Sequence, residues 1–237
     1  MHKLKRSVLV TGASSGIGKA VVSRLLAEEH RVIGLSRRVS DATFSHERFQ
    51  ADAIDLTDLD RLPGRVSALL ERCPEIDAAV FCAGRGRFGS LEEFSLDQIR
   101  ELMDLNFTSQ AFIARSLIPR FKRKHGGDMI FVGSEAALAG SRKGAIYCAS
   151  KFALRGFTQA LREECGKSGI RVTLINPGMV RSPFFEELDF EPADSPRNAI
   201  ESGDVAELVC SIFELRAETV IDEINLSPLS KVIRFKS

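Results

Sequence analysis

Tyr147 and Lys151 are the two side chains whose types and spacing are best suited to proton transfer. Tyr147 is the only tyrosine of the chain, and it begins the run Tyr-Cys-Ala-Ser-Lys that ends at Lys151. Residues four positions apart lie on one face of a helix, so the phenol and the ammonium are expected to share one space. A neighbouring cation favours phenolate over phenol, so we expect Lys151 to lower the pKa of Tyr147 from its ordinary ~10 by about three units. Such a phenol would exchange protons near neutral pH.

Composition and charge exclude several classes of function. The chain has 237 residues, of which 44% are hydrophobic and 27% are charged, as is ordinary for a globular α/β domain. Its formal net charge of +1 gives no electrostatic reason to expect nucleic acid or a membrane surface as a partner. The apolar run after the basic start at residues 2–6 is too short for a signal peptide or a membrane span. We therefore expect a cytoplasmic protein.

Cysteine and histidine usage argues against disulfides and metals. The five cysteines have no paired or metal-like spacing, so we interpret them as reduced thiols. The four histidines are scattered among basic or polar neighbours, and none has a second ligand at a helical offset. We expect no metal site.

Strand-like apolar runs and amphipathic helical patterns alternate along the chain. This alternation predicts an α/β fold, a doubly wound (Rossmann) sheet of seven mostly parallel strands with helices on both faces. No linker or repeat divides residues 1–237, which are predicted to form a single dinucleotide-binding catalytic domain. Three prolines break the periodicity in residues 182–202, where we expect a mobile substrate loop. The predicted strands are 7–10, 31–35, 48–51, 78–82, 129–132, 172–175 and 223–226, and the predicted helices are 17–29, 59–72, 96–105, 109–124, 147–167 and 205–215.

The first predicted strand runs directly into a glycine-rich segment that opens the first predicted helix. Glycines allow a tight turn and the close approach of a pyrophosphate, whose charge the free amides at the helix N-terminus stabilise. The spacing Gly-x-x-x-Gly-x-Gly has one residue more in its first gap than the common dinucleotide fingerprint. We interpret the segment as a nucleotide site; a turn that serves only chain reversal is the alternative. The residues predicted to contact the cofactor here are Gly12, Ser14, Ser15, Gly16, Ile17 and Gly18.

The end of the second predicted strand indicates which dinucleotide is bound. An acidic residue is expected there when a ribose 2′-hydroxyl is held, but this chain has Ser36 followed by Arg37 and Arg38. Guanidinium groups suit a 2′-phosphate, so NADP (NADPH) is predicted and NAD is less favoured. The alternative is that both arginines are solvated loop charges. Asp41 is the only acid nearby, and we expect it in the loop beyond the strand.

Asp55 and Leu56 follow the third predicted strand. Their position would place the Asp55 carboxylate at the adenine edge of the cofactor. The alternative is that Asp55 or Thr57 caps the helix that follows.

Six motifs in one order make the chain resemble the short-chain dehydrogenase/reductase family in its compact, single-domain form. The resemblance covers most of residues 6–180. It implies a reversible oxidoreduction between a carbonyl and an alcohol, with a nicotinamide cofactor supplying the hydride. The motifs are the glycine loop, Ala83-Gly84 after the fourth strand, Asn106 in Asp-Leu-Asn-Phe, Ser134 after the fifth strand, the Tyr147/Lys151 pair, and Asn176-Pro177-Gly178 after the sixth strand.

The resemblance also implies a role for each residue. Tyr147 would give a proton to the substrate oxygen in reduction and take it in oxidation, while Lys151 would lower its pKa and bind the nicotinamide ribose. Ser134 would hold the substrate oxygen, and Asn106 would support a water-linked proton relay to Lys151. Other cofactor contacts are implied for Ala83 and Gly84 and, around the nicotinamide, for Pro177, Gly178, Val180 and Ser182.

Structural alternatives and departures accompany this resemblance. Ser134 could cap the next segment, Asn106 could lie at a helix kink, and Asn176-Pro177-Gly178 could be an ordinary turn. The family's Asn-Asn-Ala-Gly is Phe81-Cys82-Ala83-Gly84 in this chain, which removes two polar side chains. Ser182 replaces the frequent threonine, and Ser15 replaces the basic residue common in NADP-dependent members, which weakens the prediction of NADP.

The predicted partner is a small-molecule carbonyl or alcohol substrate, uncharged or weakly anionic. Phe184 and Phe185 would offer it apolar contact or would simply pack on the core, and Arg85 and Arg87 would attract an anionic group or be solvated. By analogy with the family, helices 109–124 and 147–167 would pair between subunits of a homodimer or homotetramer. The alternatives to an oxidoreductase are a non-catalytic NADP(H)-sensing protein and an epimerase or dehydratase of the wider family.

Overall fold

Strands and helices alternate through most of the chain. The structure, a computed structural model, describes residues 5–236. Within that range the strands are β1 (Ser7–Thr11), β2 (Arg31–Ser36), β3 (Phe49–Ala53), β4 (Ala78–Phe81), β5 (Gly127–Val132), β6 (Ile170–Pro177), β7 (Val180–Arg181), β8 (Phe190–Pro192), β9 (Ile200–Glu201), β10 (Glu223–Leu226) and β11 (Ile233–Phe235). The α-helices are α1 (Gly16–Ala27), α2 (Leu62–Arg72), α3 (Leu96–Met103), α4 (Ser109–Arg123), α5 (Ala145–Cys165) and α6 (Ser202–Glu214).

Seven strands form one central sheet in the order β10-β6-β5-β4-β1-β2-β3. Every neighbouring pair in this sheet is parallel, with Leu9 of β1, for example, opposite Ile33 of β2 and Ala79 of β4. Parallel neighbours require crossover connections, which the helices supply on the two faces. The predicted fold class is confirmed, and the sheet is parallel throughout.

The sheet separates two hydrophobic cores because successive side chains of a strand point to opposite faces. In β1, Leu9 packs into the core that contains Phe81 and Phe131. Val8 and Val10 pack into the opposite core, under α1 and α6. All five residues of β1 are buried, as expected for a strand covered on both sides.

Helix α5 begins two residues earlier than predicted, at Ala145, so Tyr147 lies in its first turn. The two helices predicted at 96–105 and 109–124 are joined by a π-helical segment, Asp104–Thr108. Single π-helical turns inside α-helices are rare and frequently occur at functional sites. Here the turn contains Asn106, and the break predicted between the two helices was wrong, because helical structure continues through residues 104–108.

The segment 182–202 contains regular structure, contrary to the prediction of a loop with no periodicity. Strand β8 pairs antiparallel with β11 near the C-terminus, and β9 pairs in parallel with β7. Long-range partners create these short strands, and a local pattern does not report such partners. The mobility of the segment stays a prediction.

The amino edge of the sheet is held together by a buried ion cluster. The Asp128 carboxylate of β5 accepts hydrogen bonds from Arg171 Nε at 2.5 Å and Nη2 at 3.0 Å, and also from Arg6 Nη1. Removing one partner of a buried pair typically costs about 3–5 kcal/mol, because the other charge is left uncompensated. This cluster lies at the edge opposite the site described below and joins β5 to β6 and to the residues before β1.

Three findings concern membranes, disulfides and metals. No helix within residues 5–236 is long and apolar enough to cross a membrane. All five cysteines are free thiols. The described part of the chain contains no group of three His, Cys, Asp or Glu side chains placed to hold a metal ion.

Candidate active site

The predicted functional residues gather at the carboxyl edge of the central sheet. The glycine loop follows β1, Ala83 and Gly84 follow β4, Ser134 follows β5, and Gly178 follows β6. In open α/β sheets this edge is where ligands bind, because parallel strands all end there and their connecting loops converge.

Tyr147 and Lys151 share one buried face of α5. Their relative exposures are 7% and 4%, which is low for a phenol and very low for a lysine. Lys151 Nζ lies 5.9 Å from the centroid of the Tyr147 ring and donates a hydrogen bond to the Val132 carbonyl at 3.2 Å. The helical spacing therefore brings the two groups together, as predicted.

The predicted lowering of the Tyr147 pKa is wrong for this structure. Burial raises the pKa of Tyr147 to about 12, and a hydrogen bond with Ser134 opposes that rise only in part. Burial also lowers the pKa of Lys151 to about 8, with the nearby Cys82 acting in the opposite direction. Both shifts disfavour the charged form of the side chain, because burial removes the water that stabilises a charge. The cation that was expected to acidify the phenol is itself close to losing its proton at neutral pH.

Ser134 caps the turn that follows it and also bonds Tyr147, while its contact with a substrate oxygen stays a prediction. Its side chain forms a hydrogen bond with Tyr147. Its hydroxyl also accepts a hydrogen bond from the Ala136 amide at 3.1 Å and so caps the short 3-10 turn Glu135–Ala137. The cap holds the Ser134 hydroxyl beside the phenol of Tyr147.

Asn106 is fully buried in the π-helical turn and holds the loop after β4. Its side chain accepts a hydrogen bond from the Arg85 amide and donates one to the Arg85 carbonyl, each at 3.0 Å. It also donates to Ser150 Oγ at 3.0 Å, and Ser150 in turn donates to the Tyr147 carbonyl at 2.7 Å. Asn106 therefore connects the cofactor-side loop to the first turn of α5.

Gly84 lies between Asn106 and Lys151. A Cβ atom at Gly84 would be 3.2 Å from Asn106 Oδ1 and 3.6 Å from Lys151 Nζ. These distances place the amide oxygen and the ammonium on the same side of the loop. Any side chain at position 84 would come between them.

A cleft of about 230 Å³ adjoins this site. Nine of its lining residues are among the predicted cofactor contacts, and six were not predicted. Ser36 and Ile54 lie at or beyond the ends of predicted strands, so the strand pattern could have marked them as cleft residues. Nothing in the sequence marks Glu101 or Leu105 as cleft residues. The predicted nine are Gly12, Ser14, Ser15, Arg37, Arg38, Asp55, Leu56, Ala83 and Gly84, and the others are Ser36, Ile54, Thr57, Arg85, Glu101 and Leu105.

Backbone contacts explain the glycines of the first loop. Gly12 has a positive φ of 69°, and a Cβ there would lie 3.0 Å from the backbone of Ala83. A Cβ on Gly18 would be only 2.2 Å from the Gly12 carbonyl oxygen. Both glycines therefore let β1, β4 and α1 approach closely. Ile17 packs against the core under α1, so its side chain has a structural role.

The arginines after β2 are exposed and line the cleft, whose lining also contains the carboxylates of Asp55 and Glu101. Asp41, the only acid near them in sequence, lies beyond the strand as expected and accepts a hydrogen bond from the Ala51 amide at 2.7 Å. Arg37 and Arg38 thus face space that a negatively charged group could occupy.

Asp55 makes a local turn with Thr57 at the border of the cleft. Burial opposes ionisation of Asp55, but hydrogen bonds from the Thr57 amide at 2.9 Å and hydroxyl at 2.7 Å lower its pKa, helped by the charge of Arg37. Helix α2 begins only at Leu62, so Asp55 does not cap it. The carboxylate therefore stays ionised beside the cleft.

The opposite wall is formed by the segment that follows β6. Pro177 and Val180 are buried, and the Ser182 hydroxyl donates a hydrogen bond to the Val180 carbonyl at 3.2 Å. Ser182 also lies against the glycine loop, 3.5 Å from the position of a Cβ on Gly16. A Cβ on Gly178 would lie 3.3 Å from Glu135 Oε2, so this wall reaches the turn after Ser134.

The two residues that depart from the family pattern are Phe81, which ends β4, and Cys82, which follows it. Phe81 stacks on Phe131 of the neighbouring strand, with ring centroids 4.2 Å apart. The Ala83 backbone is held by the Thr11 hydroxyl at 3.1 Å and by Gln110 Nε2 at 2.9 Å. Burial raises the pKa of the Cys82 thiol to about 12, so it stays protonated beside Lys151.

Aromatic rings pack against Tyr147. The centroid of Phe88 lies 5.1 Å from that of Tyr147, and the centroid of Phe184 lies 5.9 Å from it. Phe185 is buried with Met179 in a small separate cluster. Phe184 contacts Tyr147 and also packs on this cluster, so both phenylalanines pack, and contact of Phe184 with a substrate stays a prediction.

Comparisons with known proteins agree with this geometry. The family model described as short chain dehydrogenase matches residues 6–192. Among curated proteins, sepiapterin reductase from Chlorobaculum tepidum is 30% identical over 246 residues, covering 96% of this chain and 98% of that protein.

Solved structures resemble the chain over nearly its whole length. A short-chain dehydrogenase from Sphingobium yanoikuyae in complex with NADPH has a TM-score of 0.82 at 26% identity, covering 94% of this chain and 87% of that one. An alcohol dehydrogenase from Thermococcus sibiricus complexed with 5-hydroxy-NADP has a TM-score of 0.83 at 21% identity, covering 94% and 96%. The second likeness concerns the fold alone.

The buried ammonium of Lys151 predicts a specific dependence of stability on pH. Its pKa is lowered from 10.5 to about 8, so between these values the unfolded chain binds more protons than the folded one. The free energy of unfolding therefore gains a contribution from Lys151 as pH rises through this window. The pKa of Tyr147 is raised from 10.0, so its contribution to the free energy of unfolding declines only when the pH rises above that ordinary pKa.

We expect Lys151→Met to abolish this gain. Urea unfolding at about pH 8 and about pH 10 should show the wild-type protein gaining roughly 2 kcal/mol relative to the variant. Lys167→Met, at an exposed lysine before β6, should retain the wild-type pH dependence. If the free energy of unfolding changed with pH equally in the wild type and in Lys151→Met, a lowered pKa for a buried Lys151 would be contradicted.

Proposed function

The chain belongs to the short-chain dehydrogenase/reductase family of oxidoreductases, and we propose that it transfers a hydride between NADP(H) and a carbonyl or alcohol group of a small molecule. The observation that carries this proposal is the convergence of Ser134, Tyr147 and Lys151 in a buried site beside the nucleotide cleft. A phenol, a hydroxyl and an ammonium grouped in this way are suited to polarise and protonate a substrate oxygen.

Tyr147 is the proposed proton donor and acceptor. With its pKa raised to about 12, the phenol of the free protein keeps its proton at neutral pH and is ready to donate it in carbonyl reduction. Ser134 holds the substrate oxygen next to that proton through the same hydroxyl that bonds Tyr147. The bound cofactor supplies the hydride, and the protein supplies position and electrostatics.

Lys151 and Asn106 are proposed to support this donor. A lysine whose pKa is about 8 can both hold and release a proton near neutral pH, so Lys151 is suited to replace the proton that Tyr147 gives up. Asn106 holds the backbone of Arg85 and, through Ser150, the carbonyl of Tyr147. Its proposed contribution is to fix the position of the loop after β4 relative to the helix that carries Lys151.

The proposed cofactor is NADP(H) and occupies the cleft along the glycine loop. Pyrophosphate would lie at the N-terminus of α1, where Gly12, Ser14 and Ser15 line the cleft. Arg37 and Arg38 would bind the 2′-phosphate, and Asp55 would face the adenine. The wall after β6, with Gly178, Val180 and Ser182, would border the nicotinamide. The complex of the similar Sphingobium yanoikuyae dehydrogenase with NADPH supports this choice.

Tyr147→Phe tests the proposed chemistry. The variant keeps the ring that packs on Phe88 and Phe184 but lacks the exchangeable proton, so kcat for carbonyl reduction should fall by a factor of about 10² to 10⁴. NADPH affinity, measured by fluorescence titration, should stay within about twofold, since the cofactor cleft is unchanged. The assay is NADPH oxidation across a panel of carbonyl compounds.

Two results would count against this mechanism. Full activity of Tyr147→Phe would show that the phenol does not donate the proton. Tight NADPH binding by the wild-type protein without turnover of any carbonyl or alcohol would favour a cofactor-sensing protein instead.

Arg37→Ala tests the proposed cofactor preference. Loss of a charge-assisted contact with the 2′-phosphate should raise KM for NADPH by about tenfold or more and leave KM for NADH within about twofold. Arg100→Ala, at an arginine 71% exposed on α3, serves as the matched control and should change neither value. Equal increases for both cofactors in Arg37→Ala would overturn the assignment of a 2′-phosphate site.

A further inference from the structure

The last described residues of the chain lie across the substrate side of the site. Residues 230–236, which we call the C-terminal strap, include β11 and lie beyond residue 192, where the family match ends. Backbone hydrogen bonds hold the strap in place: Ala193 N donates to the Val232 carbonyl at 3.0 Å, and Lys236 N donates to the Asp189 carbonyl at 2.8 Å. The strap therefore rests on the segment that carries Phe184 and Phe190.

One end of the strap is attached to the rim of the active site. Lys231 Nζ lies 2.5 Å from Glu135 Oε1, in the turn that Ser134 caps. The charge of Glu135 reaches the buried phenol, since it contributes to raising the pKa of Tyr147. Glu135 also borders Gly178, on the opposite wall. Lys231 thus neutralises a carboxylate at the point where the two walls meet.

The other end of the strap is attached to the aromatic segment. Lys236 Nζ donates a hydrogen bond to the Phe185 carbonyl at 2.5 Å and one to the Glu186 carbonyl at 3.3 Å. Arg234 forms ion pairs with Glu191 and with Asp194, the latter at 2.7 Å. These contacts attach the strap to the segment that directly follows Phe184.

An unbroken series of ring contacts leads from the strap to the phenol. Phe185 packs edge-on against Phe184 and Phe190, with centroids 5.1 Å and 5.9 Å away. Phe184 contacts Tyr147, and Phe190 reaches it through Phe88 at 5.0 Å. A Cβ on Gly86 would lie 2.4 Å from Phe184, so the ring has little space on that side. Displacing the strap would therefore shift the rings over Tyr147.

We propose that Lys231 and Lys236 are positioning residues that hold the strap, and through it an aromatic wall of Phe88, Phe184 and Phe190, against the Tyr147 ring. The wall selects a carbonyl substrate that carries a flat apolar group, such as an aryl ring. Ring faces and edges favour stacking with such a group, and the strap's cations are already engaged with carboxylates or carbonyls. The substrate class rests on the proposed function; the structural role of the strap does not.

The structural role can be tested without any turnover. Because Tyr147 is the only tyrosine and the chain has no tryptophan, intrinsic tyrosine fluorescence reports the site alone. In Lys231→Met/Lys236→Met, the acrylamide quenching constant should rise about threefold, since losing weak surface ties increases the opened population severalfold. Lys122→Met/Lys167→Met, at two exposed lysines near the amino edge of the sheet, should quench like the wild type. A quenching constant equal to that of the wild type in the strap variant would overturn the proposal.

The selectivity is tested by kinetics on the same variants. The ratio of kcat/KM for an aryl ketone to that for a small aliphatic ketone should fall about threefold in the strap variant, mainly through KM, while NADPH affinity is unchanged. An unchanged ratio despite increased quenching would refute selection by the wall. Loss of activity in Tyr147→Phe together with an unchanged strap variant would leave the proposed function standing and reject only the strap.

Discussion

Removal of water from Tyr147 and Lys151 is the physical constraint on which the rest of this site depends. Desolvation pushes the two pKa values in opposite directions, upward for the phenol and downward for the ammonium, so that both groups favour their neutral forms. The nearby cation was expected to determine the pKa shift of Tyr147, but burial determines it instead. The result is a proton donor that is kept protonated beside an amine that titrates near neutral pH, an arrangement suited to reduction of a carbonyl.

Most of the surrounding structure serves to keep this pair buried and aligned. Helix α5 supplies the spacing, the π-helical turn supplies Asn106 to fasten the loop after β4, and the Ser134 cap places a hydroxyl at the phenol. Phe81 and Cys82 stand where the family has two polar residues, and Thr11 and Gln110 hold the neighbouring Ala83 backbone.

The sequence predicted what depends on short-range pattern and motif order. Strand–helix alternation predicted the seven-stranded sheet, and the order of the glycine loop, Ser134, Tyr147 and Lys151 predicted which residues meet at its carboxyl edge. It did not predict features that arise from distant partners. The short strands of segment 182–202 pair with β11 and β7, which lie outside the segment, and Asn106 in the π-helical turn bonds Arg85 and Ser150. The predicted direction of the Tyr147 pKa shift was wrong for the same reason, because burial of a side chain depends on the whole tertiary structure.

Spectrophotometric titration of the single phenol tests the central claim most directly. Tyrosinate absorbance in the near ultraviolet reports Tyr147 alone, since the chain has no other tyrosine and no tryptophan. We predict almost no tyrosinate in the folded protein at about pH 10, where an ordinary phenol is half ionised, and half ionisation at that pH after unfolding in urea. Half ionisation of the folded protein at or below about pH 10 would contradict the account, because it would show a phenol that is solvated or acidified by its neighbour.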